Sequence, residues 1–436
     1  MRHVNKLRVW SWVGVALVAG AVLVACGGSS DSSGNTTALR LVNATLTHSS
    51  LDLLVNGSAA ISGTTSDTAS AYVTPGSGAA TLQLNDSSTG TALSTTIPTL
   101  SGNAHYAMLA YESGGTLKTA LLTEDYAAPA SGTAQIRIYN TALDAGKLDV
   151  YITAPAVDLA TLTAPTRSIT SVAVVTSTEL LTYSPGTYRV RITGYGNKSD
   201  VRADITAITL ANQQIATVVL TPTAGGVLLN GSLLMQQGAY AATRNSNARV
   251  RLAAAVSGSA SVAASASSGT SNITIDSGSV APAFGYYVLV PANSTLNINV
   301  NGQSIAAPAG TLSAGADSTL LVYGSAAAAT AALIADDNRS PNDSTTVKLR
   351  LINGITGTVG ALTMTANTSL VANGTQPGTA SAYVSVPGSV NAMNLSLTSS
   401  ASPGIFYSNT SNILNVNSVY SVLAGGDFAA PQLLIR

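Results

Sequence analysis

The chain has 436 residues, more than one core of ordinary size accommodates, so three or four domains of roughly 100–150 residues are expected. Only 9% of the residues are charged and 5% aromatic, and the formal net charge is zero; without Arg2, Lys6 and Arg8 of the leading segment, 16 basic residues stand against 19 acidic ones. That balance excludes the clustered basic face that nucleic acid requires, and a mean hydropathy of +0.31 with recurring alternation of Val, Leu and Ile excludes disorder throughout.

The first element is the leader MRHVNKLRVWSWVGVALVAGAVLVAC, a basic start followed by 17 apolar residues from Val9 to Ala25. This is the shape of a secretory signal peptide, and the run is at the short limit for a membrane span. The segment Leu23–Cys26 resembles the bacterial lipoprotein signal, in which a small residue precedes an obligatory cysteine. The resemblance implies cleavage after residue 25 and acylation of Cys26, which is also the sole cysteine and so has no disulfide mate. One acyl chain anchors only marginally, whereas the three such proteins usually carry attach stably. Gly27, in the place where Asp retains enterobacterial lipoproteins in the inner membrane, resembles an outer-membrane address, periplasmic or surface-exposed. Residues 26–38 read as the lipidated cysteine and a flexible tether.

From there four landmarks recur in fixed order. An opening strand contains Arg40, Arg137, Arg251 and Arg350, spaced by 97, 114 and 99 residues. A second strand follows, LDLLVNG and LDVYITA in the first two copies, faint in the third and weak in the fourth (LTMTANT). A hairpin bearing Tyr and Pro contains Tyr72, Tyr183, Tyr287 and Tyr383, and a closing hairpin completes each copy. In RVRL and KLRLI apolar residues alternate with charged ones, the pattern of a strand with one buried and one wetted face. Pro-Gly pairs mark the turns. The expected repeats are 39–128, 134–240, 247–336 and 345–436, each a sandwich of six to eight short strands. Some dozen extra residues in the second copy, around APTRSITSVAVVTST, are absorbed by a loop or an added strand. Short linkers at 129–133, 241–246 and 337–344 favour limited bending of domains strung end to end.

These motifs together, LRLVNA, LDLLVNG, AYVTPGSG and HYAMLAYESGG in the first copy and IRIYN, LDVYITA and YSPGTYRVRI in the second, resemble the DUF4397 domain. The third copy has Ala254 in place of the opening-strand Asn and lacks the LD pair; the fourth keeps ING and AYVSVPG but lacks the LD pair. The resemblance implies tandem β-sandwiches of a secreted or surface protein, often a lipoprotein, with no assigned activity and no catalytic residues to carry over. The expected fold is all-β, four tandem immunoglobulin-like β-sandwich domains after a lipoprotein signal peptide.

Candidate chemistry is sparse. His48 lies beside Ser49, Ser50 and Asp52, but triad members are rarely sequence neighbours and no G-x-S-x-G elbow is present. A polar loop is the expected setting, and His105 is expected at a strand start. No catalytic residue and no cofactor is expected. Ligands of the His/Cys type are too few for zinc. Asp336, Asp337 and Asp343, with Asn338 and Asn342, offer oxygens for Ca²⁺ at the junction of the last two copies, without the D-x-D-x-D-G spacing; a solvated linker is the plainer expectation. Asp52 and Asp149 are expected to cap a turn or bond across strands. The four tyrosines are expected half-buried with bonded hydroxyls, the alternative being an exposed stacking surface for sugars. The sequence therefore predicts a non-enzymatic envelope or surface protein, held to the membrane by its lipid, with a structural, spacing or adhesive role towards an envelope or extracellular polymer or protein. A carbohydrate- or polymer-binding lipoprotein is the alternative, and a hydrolase or hydrolase accessory the third.

Overall fold

The structure is a computed structural model that describes residues 36–171, 174–355, 360–388 and 391–436. The signal peptide, Cys26 and most of the tether lie outside the described residues. The described chain forms one compact unit, and it is built almost wholly from strands.

Four hydrophobic cores recur along it. Leu39, Leu41, Leu51, Leu53, Leu84 and Met108 centre the first; the second, third and fourth centre on Ile136 and Val218, Val250 and Leu320, and Leu349 and Val422. Each core lies between two sheets, the expected sandwich. The strand order repeats. In the first domain the opening strand Ala38–Asn43 sits between His105–Ser113, to which it runs parallel, and the short Thr68–Ala69. Thr116–Thr123 closes that sheet as a hairpin. The facing sheet runs Ser58–Thr65, Ser50–Val55, Leu82–Asp86, Ala92–Thr96. The same parallel pairing joins Ala134–Asn140 to Ile215–Pro222, Asn247–Ser257 to Asp317–Ser325, and Thr346–Asn353 to Val419–Asp427.

The recurring asparagine explains where the opening strand stops. Asn43, Asn140 and Asn353 are fully buried. Each side-chain Oδ1 accepts the backbone N–H two residues on, from Thr45, Ala142 and Ile355, and this Asx turn offers the chain an alternative to the ladder. The third copy, with Ala254 at that place, lacks the turn, and its strand continues to Ser257.

The extra residues of the second copy form a loop at 154–166 that contains a short 3-10 turn, Leu159–Thr161; the strands that follow, Arg167–Ile169 and Thr176–Ser177, pair as Ser58–Thr65 and Thr68–Ala69 do in the first domain. The first half of the stretch at 241–246, expected as linker, is strand: Tyr240–Thr243 pairs with Leu229–Met235 and extends the second domain's sheet.

One expectation is overturned. The arginine face of the opening strands is not wetted. Arg40, Arg137, Arg251 and Arg350 are 4%, 8%, 3% and 2% exposed, because that face of each domain packs on its neighbour. Val42, Leu109 and Leu122 of the first domain meet Val219 and Leu234 of the second; Ala253, Ala255 and Leu321 of the third meet Ile352 and Leu423 of the fourth. The first two and the last two domains thus pair sheet on sheet rather than end to end.

Candidate functional site

The residues that recur in the sequence converge at these junctions. Register shows how. Arg40, Arg137 and Arg251 stand opposite Ala107, Thr217 and Thr319, and across the closing hairpin these face Leu122, Leu234 and Ile334. Two residues past each stand Glu124, Gln236 and Asp336. An acid therefore stands at the end of the closing strand in the first and third domains, just past it as Glu124 and as its last residue Asp336, and an amide takes its place in the second.

At the first junction Arg40 Nε donates to Glu124 Oε2 at 2.9 Å, and its Nη groups reach across to the carbonyls of Gly238 and Met235 in the second domain. Glu124 also accepts the hydroxyl of Tyr72 and the backbone N–H of Gln237, whose amide donates back to the Glu124 carbonyl at 2.9 Å. Arg137 donates to Thr217 Oγ1 at 2.9 Å and to the hydroxyl of Tyr126, over whose ring it lies at 4.6 Å.

The third–fourth junction repeats the scheme around one carboxylate. Asp336 accepts Arg350 of the fourth domain, the Tyr287 hydroxyl and, at 2.6 Å, Thr319 Oγ1; Arg251 Nε lies 3.7 Å away. Arg350 donates further to Ser421 Oγ at 2.9 Å and to the Ala335 carbonyl at 2.8 Å. Burial, then the neighbouring Asp336 charge, pushes the Tyr287 hydroxyl well above the usual phenol range. These are charge-assisted bonds in a dry setting, where removing one partner leaves the others uncompensated.

Between the second and third domains the contact is different. Arg249 forks onto Asp317 at 2.8 and 2.6 Å and bonds Asp200 of the second domain. Thr223 Oγ1 donates to the Gly315 carbonyl at 2.7 Å. Burial works against the Asp200 carboxylate, but Arg202 and Arg249 outweigh it and hold it below its usual range.

The four tyrosines are half-buried. Tyr72 and Tyr287 bond the acids, Tyr383 lies 3.1 Å from Ser421 Oγ, and Tyr183 packs edge-on against Tyr188. Asp52 accepts the Gly63 N–H and the Ser87 hydroxyl; Asp149 accepts Ser168 and the Gly196 N–H. Both bond across strands.

His48 Nδ1 lies 3.3 Å from Asp86, while Ser50 bonds Ser87; among the described residues no serine hydroxyl bonds the His48 ring. His105 begins its strand, with Nδ1 2.8 Å from Asp125 Oδ1. The oxygens at the last linker are not brought together. Asp336 is in the junction, Asn338 donates to Asp317, Asp337 pairs with Arg339 and Lys348, and Asp343 caps Thr345. Among the described residues no three His, Cys, Asp or Glu side chains form a metal-binding group. Asn342 lines a cleft of about 380 Å³ with Gly114, Asp144 and Ser340.

Sequence reasoning missed Glu124 and the junction role of the arginines. The available signal was an acid ending the closing strands in TED and ADD.

Residues 37–151 match the family model DUF4397, described as a domain of unknown function. The match covers the first sandwich and runs into the second strand of the next. No curated protein matches the chain. A solved structure described as a "putative cell adhesion protein" from Bacteroides uniformis is 11% identical, with 48% of this chain and 99% of that one covered and a TM-score of 0.20; a likeness of that score carries no argument. The segment similar to the DUF4397 domain thus holds the first sandwich and its Arg40–Glu124 junction residues.

Proposed function

We propose that the protein is a non-enzymatic, lipid-anchored protein of the bacterial cell envelope, in which paired β-sandwiches serve as a structural spacer or adhesive array. The observation that supports this most is the use made of the recurring polar residues. The arginines, two of the acids and three of the four tyrosines are spent on one another at and beside the domain junctions, which fixes domain geometry and leaves them no substrate to face. The leader and Cys26 supply the anchor. The polymer-binding alternative is less favoured, because the recurring tyrosines that a row of sugar platforms requires are half-buried and the exposed Tyr126, Tyr195 and Tyr286 come from unrelated positions of the repeat.

An epitope in the exposed Asn301–Gly302 turn tests the location. Loss of the epitope when intact cells are treated with protease supports a surface role, and protection until the outer membrane is opened supports a periplasmic one. Release of the Cys26→Ser protein from the membrane fraction is expected in both cases. A wild-type protein found free of the membrane contradicts the proposal.

A further inference from the structure

The closing strand of the fourth domain, Ala430–Ile435, is the last of its sheet. Ser421 and Arg436 exchange both backbone hydrogen bonds, at 2.8 and 3.1 Å. Antiparallel ladders alternate, so Leu433 and Ile435 direct their N–H and C=O groups away from the sheet, towards its open edge.

The second domain shows what such an edge takes. Leu234 stands opposite Thr217 as Arg436 stands opposite Ser421, so Leu233 corresponds to Ile435 and Gly231 to Leu433. There the outward groups are covered by an antiparallel strand, Tyr240–Thr243, with Tyr240 opposite Leu234 and Ala241 opposite Leu233. The closing strands of the first and third domains also end their sheets, but Leu122 and Ile334 hold the place of Arg436 and pack into the apolar junctions.

In the fourth domain the edge lines a groove of about 650 Å³, whose other wall is Phe284, Tyr286 and Val288 of the third domain. Tyr286 is 74% exposed. Arg436 lies 4.7 Å from its ring centroid and donates Nε to the Phe284 carbonyl at 3.2 Å, and it lines the groove. Among the described residues no carboxylate pairs with it. The acid of the groove, Asp276, is occupied by the backbone N–H groups of Gly278 and Ser279 and by the Ser279 hydroxyl.

We propose that this groove binds an extended segment of a partner protein, added antiparallel to Leu433 and Ile435. A carboxylate of that segment sits opposite Arg436 and an apolar side chain rests on Tyr286. Backbone bonds supply affinity and the two side-chain contacts supply choice, as in strand addition generally. The site goes beyond the envelope reading above and does not depend on where the protein is anchored, so a failure of the cell-surface test leaves it standing, and its own failure leaves that reading standing.

The probe is an acetylated, amidated hexapeptide alternating threonine and valine with one central aspartate, offered to the 36–436 unit. Hydrogen exchange at the Leu433 and Ile435 amides is expected to slow on binding. Affinity is expected to fall about tenfold or more in Arg436→Gln, in Tyr286→Ala and for the peptide with lysine in place of aspartate, and to vanish when alternate peptide nitrogens are methylated. Both variants change exposed side chains, and unchanged melting curves confirm their fold. Absence of binding at millimolar peptide, unchanged exchange at those two amides, equal affinity for the lysine peptide, or protection by polygalacturonate instead of peptide would overturn the proposal.

Discussion

The carboxylate of Asp336, in the third domain, is bonded by the guanidinium of Arg350, in the fourth, and neither side chain is exposed by more than 3%. Arg251, Tyr287 and Thr319 of the third domain share the same carboxylate. Removing its charge strands two buried arginines. Asp336→Asn is expected to cost about 3–5 kcal/mol, the range for breaking a buried pair on one side, read from the urea midpoint. A loss below about 1 kcal/mol would show that water reaches the site.

The first junction predicts non-additivity. Glu124→Leu alone leaves Arg40 buried against the second domain's carbonyls and is expected to destabilise strongly. The double variant Arg40→Met with Glu124→Leu removes both charges and is expected to recover most of that loss, since apolar replacement of a whole buried pair is often neutral or stabilising. A double-mutant cycle by chemical denaturation measures the coupling.

Glycine size is tested at Gly354. A Cβ there meets Ala255 Cβ of the third domain at 2.3 Å. Gly354→Ala is expected to force the last two domains apart and cost about 1–3 kcal/mol, the usual range for overpacking. Gly76→Ala, where a Cβ meets nothing within 4 Å and φ is not positive, is the control and is expected to leave the melting temperature unchanged.

Acid weakens the fold in a defined window. Burial raises the Asp337 carboxyl, but bonds from Arg339 and Lys348 prevail and hold it at about 2; Asp200 is likewise depressed. A depressed folded pKa contributes stability above the unfolded value of about 4, and this is lost as pH falls through the folded value. Stability is therefore expected to drop between about pH 4 and pH 2, and to drop less in Asp337→Asn. Asp144 acts in the opposite sense, because burial raises its carboxyl and its ionisation costs stability as pH rises. Urea midpoints across that range check both signs.

Much of the sandwich was legible because its devices are local. Alternation marked the strands, and the recurring motifs marked the repeat; that the Asn of VNA, YNT and ING ends the opening strand became visible only in the structure. The face on which Arg40 and Arg350 sit was misread for a physical reason. Alternation records that one side of a strand is polar, not whether water or another domain satisfies it. The ion pair of Arg40 with Glu124 spans 84 residues and becomes visible only when the closing strand is set in register with the opening one. Residues 241–243 read as linker because a short edge strand has no periodicity of its own, and the groove at Arg436 exists only through the contact of two domains.

The central claim is that buried arginine–acid clusters fix neighbouring domains face to face. The most direct measurement is the distance distribution between spin labels at Gln303→Cys in the third domain and Thr410→Cys in the fourth, in the cysteine-free 36–436 unit. A single narrow distribution that broadens on Asp336→Asn is the predicted result. A broad wild-type distribution, or one unchanged by Asp336→Asn, would contradict it.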